Sequence, residues 1–279
     1  MTDSRPPVAP IALTSFCPTG LRRRGWVWAL LLAMLSLTGC PEAHRRPEDF
    51  SSDPEPLLAA IARRAAAVRS LTGQLHLEVW HKSERVRLRQ LVAVRQPDRL
   101  RIDSLSPFDQ PLSTLVSDGR TLSLYSLEEK RFWQGGATPA NLARLVPIAM
   151  APESLSALLR GTLPVIRHQT ATVGWNGEEG WYQLDLEGQG GRRQRIFLEP
   201  GTLRVAGAQE WVGDVLQYRA RLGDYSGTAD DAVPRRMRLE APGDDLRIDV
   251  EVVDHRLNPE LPDAAFVLDP PRGIRVEPF

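Results

Sequence analysis

The chain has 279 residues, 35 basic and 35 acidic side chains, and two cysteines. That balance excludes the clustered basic excess of a nucleic-acid-binding domain. Two cysteines exclude a disulfide framework and a thiolate metal cluster.

Residues 22–40 read as a bacterial lipoprotein signal. Arg22, Arg23 and Arg24 precede an apolar run, Trp26–Leu37, and Leu37-Thr38-Gly39-Cys40 supplies the small residues a signal peptidase accepts. The run is shorter than the ~20 apolar residues of a membrane-spanning helix. Cleavage before Cys40 makes it the N-terminal residue and the acylation site, and two or more acyl chains hold a protein firmly to one leaflet. Pro41, where a retention signal would place Asp, points to the outer membrane. The expected organisation is a signal peptide over 1–39, a lipidated cysteine and flexible tether over 40–53, and a folded domain over 54–279. Loss of 1–39 removes Asp3 and four arginines, leaving 31 basic and 34 acidic residues.

Asp53 is placed to cap a helix with Pro54 at its first position. Leu57, Leu58, Ile61, Ala65 and Val68 then recur at helical spacing, with Arg63, Arg64 and Arg69 off the stripe, predicting a helix over Pro54–Ser70. After Gly73 the period falls to two, with Leu75, Leu77 and Val79 alternating with polar neighbours, then Val86–Val94 and Arg99–Leu105. Asp118-Gly119 predicts a hairpin before Thr121–Tyr125. Helical segments are predicted at Pro139–Val146 and Pro152–Leu159. Strands resume at Gly180–Leu186, Arg193–Leu198, Val205–Val212, Val215–Leu222, Arg235–Glu240 and Leu246–Val253, separated by Gly-, Pro- and Asp-rich turns.

The expected fold is mainly β with helices (α+β): a strongly curved antiparallel sheet of about eleven strands forming a half-barrel. An N-terminal helix and two central helices lie against it, and a curved sheet of this kind encloses an apolar cavity. None of the five histidines falls at metal-ligand spacing, and no G-x-S-x-G elbow or phosphate-cradling glycine loop occurs. No catalytic residue, metal ligand or cofactor is expected.

Two segments carry a family resemblance. Pro97-Asp98-Arg99-Leu100-Arg101-Ile102-Asp103-Ser104-Leu105-Ser106-Pro107-Phe108-Asp109-Gln110-Pro111-Leu112 is similar to the strand and loop of the membrane-anchored receptor of the LolA/LolB-like lipoprotein carrier and receptor superfamily. Asn258–Gly273, with Phe266 before Pro270-Pro271, resembles the ending of its soluble carrier. The resemblance implies an outer-membrane lipoprotein on the periplasmic face, without enzymatic activity, that holds acyl chains of lipoproteins or phospholipid in a half-barrel. A soluble periplasmic carrier is the implied partner. Pro107 matches the loop proline and Phe108 the projecting apolar residue that helps insert cargo, with Asp109 where the family has glycine. Phe108 either projects as a membrane wedge or packs beneath the loop as a core plug.

Trp80, Trp181 and Trp211 lie in strands, where they line the cavity or pack as ordinary core. Leu142, Leu145, Val146, Leu155, Leu158 and Leu159 form either a lid over the cavity or a fixed core. A membrane-anchored sensor or scaffold of the same fold is the alternative function, and an envelope hydrolase a third.

Overall fold

The computed structural model describes residues 43–145, 150–227 and 231–279; the expected signal segment, Cys40 and Val146 lie outside them. Among the described residues there are three α-helices, α1 (Glu55–Ala67), α2 (Pro139–Leu142) and α3 (Pro152–Leu159). The strands are β1 (Ser70–His81), β2 (Glu84–Arg95), β3 (Arg99–Leu105), β4 (Pro111–Ser117), β5 (Thr121–Ser126), β6 (Arg131–Gly136), β7 (Thr170–Asn176), β8 (Trp181–Glu187), β9 (Arg192–Leu198), β10 (Val205–Val212), β11 (Val215–Ser226), β12 (Val233–Ala241), β13 (Leu246–Leu257) and β14 (Val276–Pro278).

All fourteen belong to one curved, unclosed sheet, in the order β14-β6-β5-β4-β3-β2-β1-β13-β12-β11-β10-β9-β8-β7. The count corrects the expected eleven. Strands β6 and β7 carry Gly135-Gly136 and Gly174, which break the β-branched runs that mark a strand. Three-residue β14 is held by parallel pairing with β6 rather than by its own propensity. The remaining neighbours pair antiparallel, and two meanders, β1–β6 and β7–β13, are joined by the β1–β13 pairing.

That topology explains the helical interlude. Apart from short β14, β6 and β7 stand at opposite ends of the sheet, so the chain between them must cross from one end to the other. It crosses on the apolar face. Leu142, Met150, Leu155, Leu158, Leu163 and Ile166 join the main core with Leu71, Leu100, Leu122, Leu184 and Ile196 from the strands. The helical segment predicted to reach Val146 is a single turn, α2, capped by Thr138, whose Oγ1 accepts from Asn141 N at 3.2 Å.

In α1, Asp53 Oδ1 accepts from Glu55 N at 3.0 Å. The buried stripe is Leu57, Ala60, Ile61 and Arg64, which corrects the placing of Arg64 off the stripe. Its Nη2 donates to Ala232 O at 2.5 Å, so the long stem packs while the guanidinium finds a carbonyl. The Asp118-Gly119 turn joins β4 to β5 as the sequence predicts. Asp118 Oδ1 accepts from Arg120 N and Thr121 N, and Gly119 takes φ +91°. Burial tends to raise the Asp118 carboxyl, but those two N–H bonds and nearby Arg99 outweigh it and hold it below its usual value.

Candidate functional site

Cross-strand register sorts the β1–β6 half of the apolar face into three parallel rows. The first is Leu71, Val94, Leu100, Ser117 and Leu122, each buried. The second is Val92, Ile102, Leu115, Leu124 and Trp133. In the third, Gln90, Ser104, Ser113, Ser126 and Arg131 stand opposite one another in turn. A cavity of about 580 Å³ opens over the second and third rows, within the ~300–1,000 Å³ range of small-ligand sites. Its walls are completed by Arg144 and Leu145 after α2 and by Pro278 and Phe279. Phe279 packs over Gly135, where an added Cβ would come within 3.1 Å of its ring.

Over β1, β2 and β11–β13 the opposite face is charged. Arg85, Arg87 and Arg89 of β2, Arg219 and Arg221 of β11, and Arg236 and Arg238 of β12 alternate onto it. Acids on neighbouring strands answer several of them: Arg87 Nε donates to Glu78 at 2.9 Å and Arg238 Nε to Asp249 at 2.5 Å. A groove of about 820 Å³ is lined by several of these charged residues, by Pro107 and Trp181, and by the apolar row Leu88, Leu77, Val250, Met237 and Leu222. It is the larger hollow, yet an acyl chain laid in it would strip water from paired ions without replacing their hydration. The smaller cavity is floored by Ile102, Leu115, Leu124 and Trp133.

The loop between β3 and β4 hangs beside that groove. Ser106 organises it: its N donates to Gln110 O, its O accepts from Asp109 N, and its Oγ accepts from Phe108 N and Gln110 N. Asp109 adopts φ +65°, a conformation Asp tolerates better than most residues, and so takes the place expected for glycine. Its carboxylate pairs with Arg89 Nη2 at 2.5 Å. Phe108 is 86% exposed at the tip.

Of the three tryptophans read as cavity lining or ordinary core, all stand in phase with charged residues, and Trp181 lines the larger groove. Trp80 lies beside Arg85 and Arg247, at 5.2 and 3.8 Å from the guanidinium carbons to the ring centroid. Trp211 lies near Arg193 and Arg195, and Trp181 contacts Phe197. Period-two alternation accounts for this, since all three occur in phase with arginines or acids rather than with leucines. Trp133 lines the smaller cavity. Its alternation with buried Phe132 was the available signal, hidden because β6 is short and ends in two glycines.

Of the leucines read as lid or core, Leu142, Leu155 and Leu158 are buried in the main core, while Leu145 and Leu159 pack partly buried against it. Arg160 then ties the end of α3 to the end of α1: its Nη1 donates to Val68 O at 2.5 Å. Arg160 is buried, and that burial lowers its pKa from the ordinary guanidinium value. Burial raises the phenols of Tyr218 and Tyr225, and Tyr225 Oη donates to Val205 O. Among the described residues no three His, Cys, Asp or Glu side chains gather as metal ligands, and no helix is long and apolar enough to cross a membrane.

No family model matches the chain, and no curated protein matches it in sequence. Solved structures do match in fold. A LolA superfamily protein from Nitrosomonas europaea shares 13% identity at TM-score 0.52, covering 78% of this chain and 99% of its own. A putative outer membrane lipoprotein-sorting protein domain from Vibrio parahaemolyticus shares 13% at TM-score 0.54, covering 77% and 97%. A DUF1329 family protein from Desulfovibrio piger shares 12% at TM-score 0.54, covering 78% and 98%. The fold is the LolA/LolB-like one that the two sequence segments resemble.

Proposed function

We propose that this chain is a lipid-anchored protein of the outer membrane that takes acyl chains of lipoproteins or lipids onto its apolar face and helps pass them to the bilayer. The observation that carries this reading is the cavity floored by Ile102, Leu115, Leu124 and Trp133 and open to an incoming chain. Transfer between apolar environments needs no bond chemistry. Its driving force is the removal of acyl surface from water at about 25 cal/mol per Å². Cys40 supplies the anchor, and exposed Phe108, with Pro107 before it, supplies a wedge that loosens the headgroup layer. A soluble periplasmic carrier of the same fold is the natural donor, and the likeness in fold to the putative lipoprotein-sorting domain from Vibrio parahaemolyticus supports that assignment.

A sensor that retains its lipid is the second reading. It is favoured by the Arg160–Val68 tie, which joins α3 to α1 and opposes a swinging lid. The test is native mass spectrometry of the mature Cys40→Ala protein recovered from cells, with extraction of whatever co-purifies. Bound phospholipid or acylated peptide is the expected result. A folded protein that carries no lipid and takes up no fluorescent fatty acid would remove both readings.

A further inference from the structure

The third row of the apolar face is chemically unlike the other two. Gln90, Ser104, Ser113 and Ser126 sit side by side on four adjacent strands. Neighbouring strands lie ~4.8 Å apart, so the row forms a polar rail roughly 14 Å long. Gln90 Nε2 donates to Ser104 Oγ at 3.3 Å, and Ser126 Oγ accepts from Glu129 N at 3.2 Å. Ser113 between them makes no side-chain hydrogen bond among the described residues. The rail lines the same cavity as the apolar floor, one row away from it.

Charge completes the lining. Arg144 and Glu129 also line the cavity. Glu129 is paired with Arg131 at 3.4 Å. Arg144 is exposed and forms no ion pair among the described residues. The cavity therefore gathers a hydrocarbon floor, an adjoining hydroxyl rail and a free guanidinium in one lining. An acyl glycerophosphate carries the same set of groups: chain, ester and glycerol hydroxyls, and phosphate. Hydroxyls donate to ester carbonyls and accept from glycerol hydroxyls, and arginine is the side chain best shaped for phosphate.

We propose that the ligand of this cavity is a glycerophospholipid, with its acyl chain on Ile102, Leu115, Leu124 and Trp133, its ester-glycerol region on the serine rail, and its phosphate at Arg144. This rests on the acyl-binding reading above and narrows it, because the acylated N-terminus of a lipoprotein carries no phosphate.

The experiment displaces N-phenyl-1-naphthylamine from the mature Cys40→Ala protein with three competitors of one chain length: 1-myristoyl lysophosphatidic acid, monomyristoylglycerol and tetradecane. The expected order of affinity is lysophosphatidate, then monoacylglycerol, then alkane, with roughly tenfold between steps. Arg144→Gln should erase only the first step, and the triple variant Ser104→Ala, Ser113→Ala, Ser126→Ala only the second, both variants still binding the dye. Equal affinities of wild type for all three competitors, or steps that survive both variants, would overturn the proposal while leaving acyl binding intact. Failure of the wild type to bind dye, with Leu124→Arg behaving identically, would instead bring down the acyl-binding reading itself.

Discussion

The Phe108 loop offers a prediction whose size follows from exposure. Full burial of a phenylalanine side chain is worth ~1.5–3 kcal/mol. Phe108 is 86% exposed, so nearly all of that remains to be gained at a membrane rather than in the fold. Scaling by exposure leaves ~1.3–2.6 kcal/mol, a change of roughly 9- to 80-fold in partition at 1.36 kcal/mol per decade. Phe108→Ser should therefore weaken binding of the anchorless Cys40→Ala protein to phosphatidylethanolamine–phosphatidylglycerol vesicles by that factor. Its stability should change by no more than ~0.5 kcal/mol, as for other surface substitutions. Vesicle flotation reads the first quantity and thermal melting by circular dichroism the second. Unchanged flotation by a normally melting variant would refute the wedge. A melting point lowered by many degrees would show that the ring packs against the protein.

Three further outcomes test the architecture. Gly161 sits at φ +69°, and an added Cβ would lie 2.4 Å from Pro234 Cδ; Gly161→Ala should destabilise by ~2–4 kcal/mol through strain and overpacking, and a normal melting point would refute the clash. Arg160→Ala should cost ~2–5 kcal/mol by leaving a void and an unpaired Val68 carbonyl. Arg160→Met keeps the stem's volume and removes the desolvated charge, so it should cost less, and the reverse order in chemical denaturation would refute that account. A hydrogen bond from Arg95, with Arg99 beside it, holds the Asp263 carboxyl below its usual value, and a hydrogen bond from Arg131 does the same for Glu277. Depressed folded values mean that this stabilisation is complete above the unfolded value near ~4 and is lost as pH falls through the folded values. The double variant Asp263→Asn, Glu277→Gln should flatten the fall in melting temperature between about pH 5 and about pH 3, and an unchanged slope would refute the assignment.

Period-two patterning made the β1–β3 and β8–β13 runs legible because each carries leucine, valine or isoleucine on one face and charge on the other. Strands β6 and β7 escaped because glycines interrupt them, and β14 because it exists only by pairing. The same alternation rule, applied strictly, would have moved Trp80, Trp181 and Trp211 off the apolar face: Trp80 falls in phase with Glu78, not with Leu77 and Val79. Phe108 was legible as a loop residue, but its projection depends on Ser106 and on the Arg89–Asp109 pair, contacts that no local pattern announces. The serine rail was invisible for a deeper reason. Gln90, Ser104, Ser113 and Ser126 are unremarkable in four separate strands, and only long-range register makes them one surface.

An unclosed sheet leaves two rims capable of recruiting other strands. The β14 rim is three residues long and ends at Pro278, which has no N–H to offer. The β7 rim, Thr170–Asn176, is longer and has neither lysine nor proline to discourage pairing. The segment just before α1 guards its end: His44 N donates to Gly177 O at 2.7 Å, His44 O accepts from Trp175 Nε1 at 2.9 Å, and Phe50 stacks on Tyr182. Protease trimming that removes residues 43–50 would bare this rim, so the clipped protein, rather than the intact one, should be the species that assembles edge to edge and aggregates.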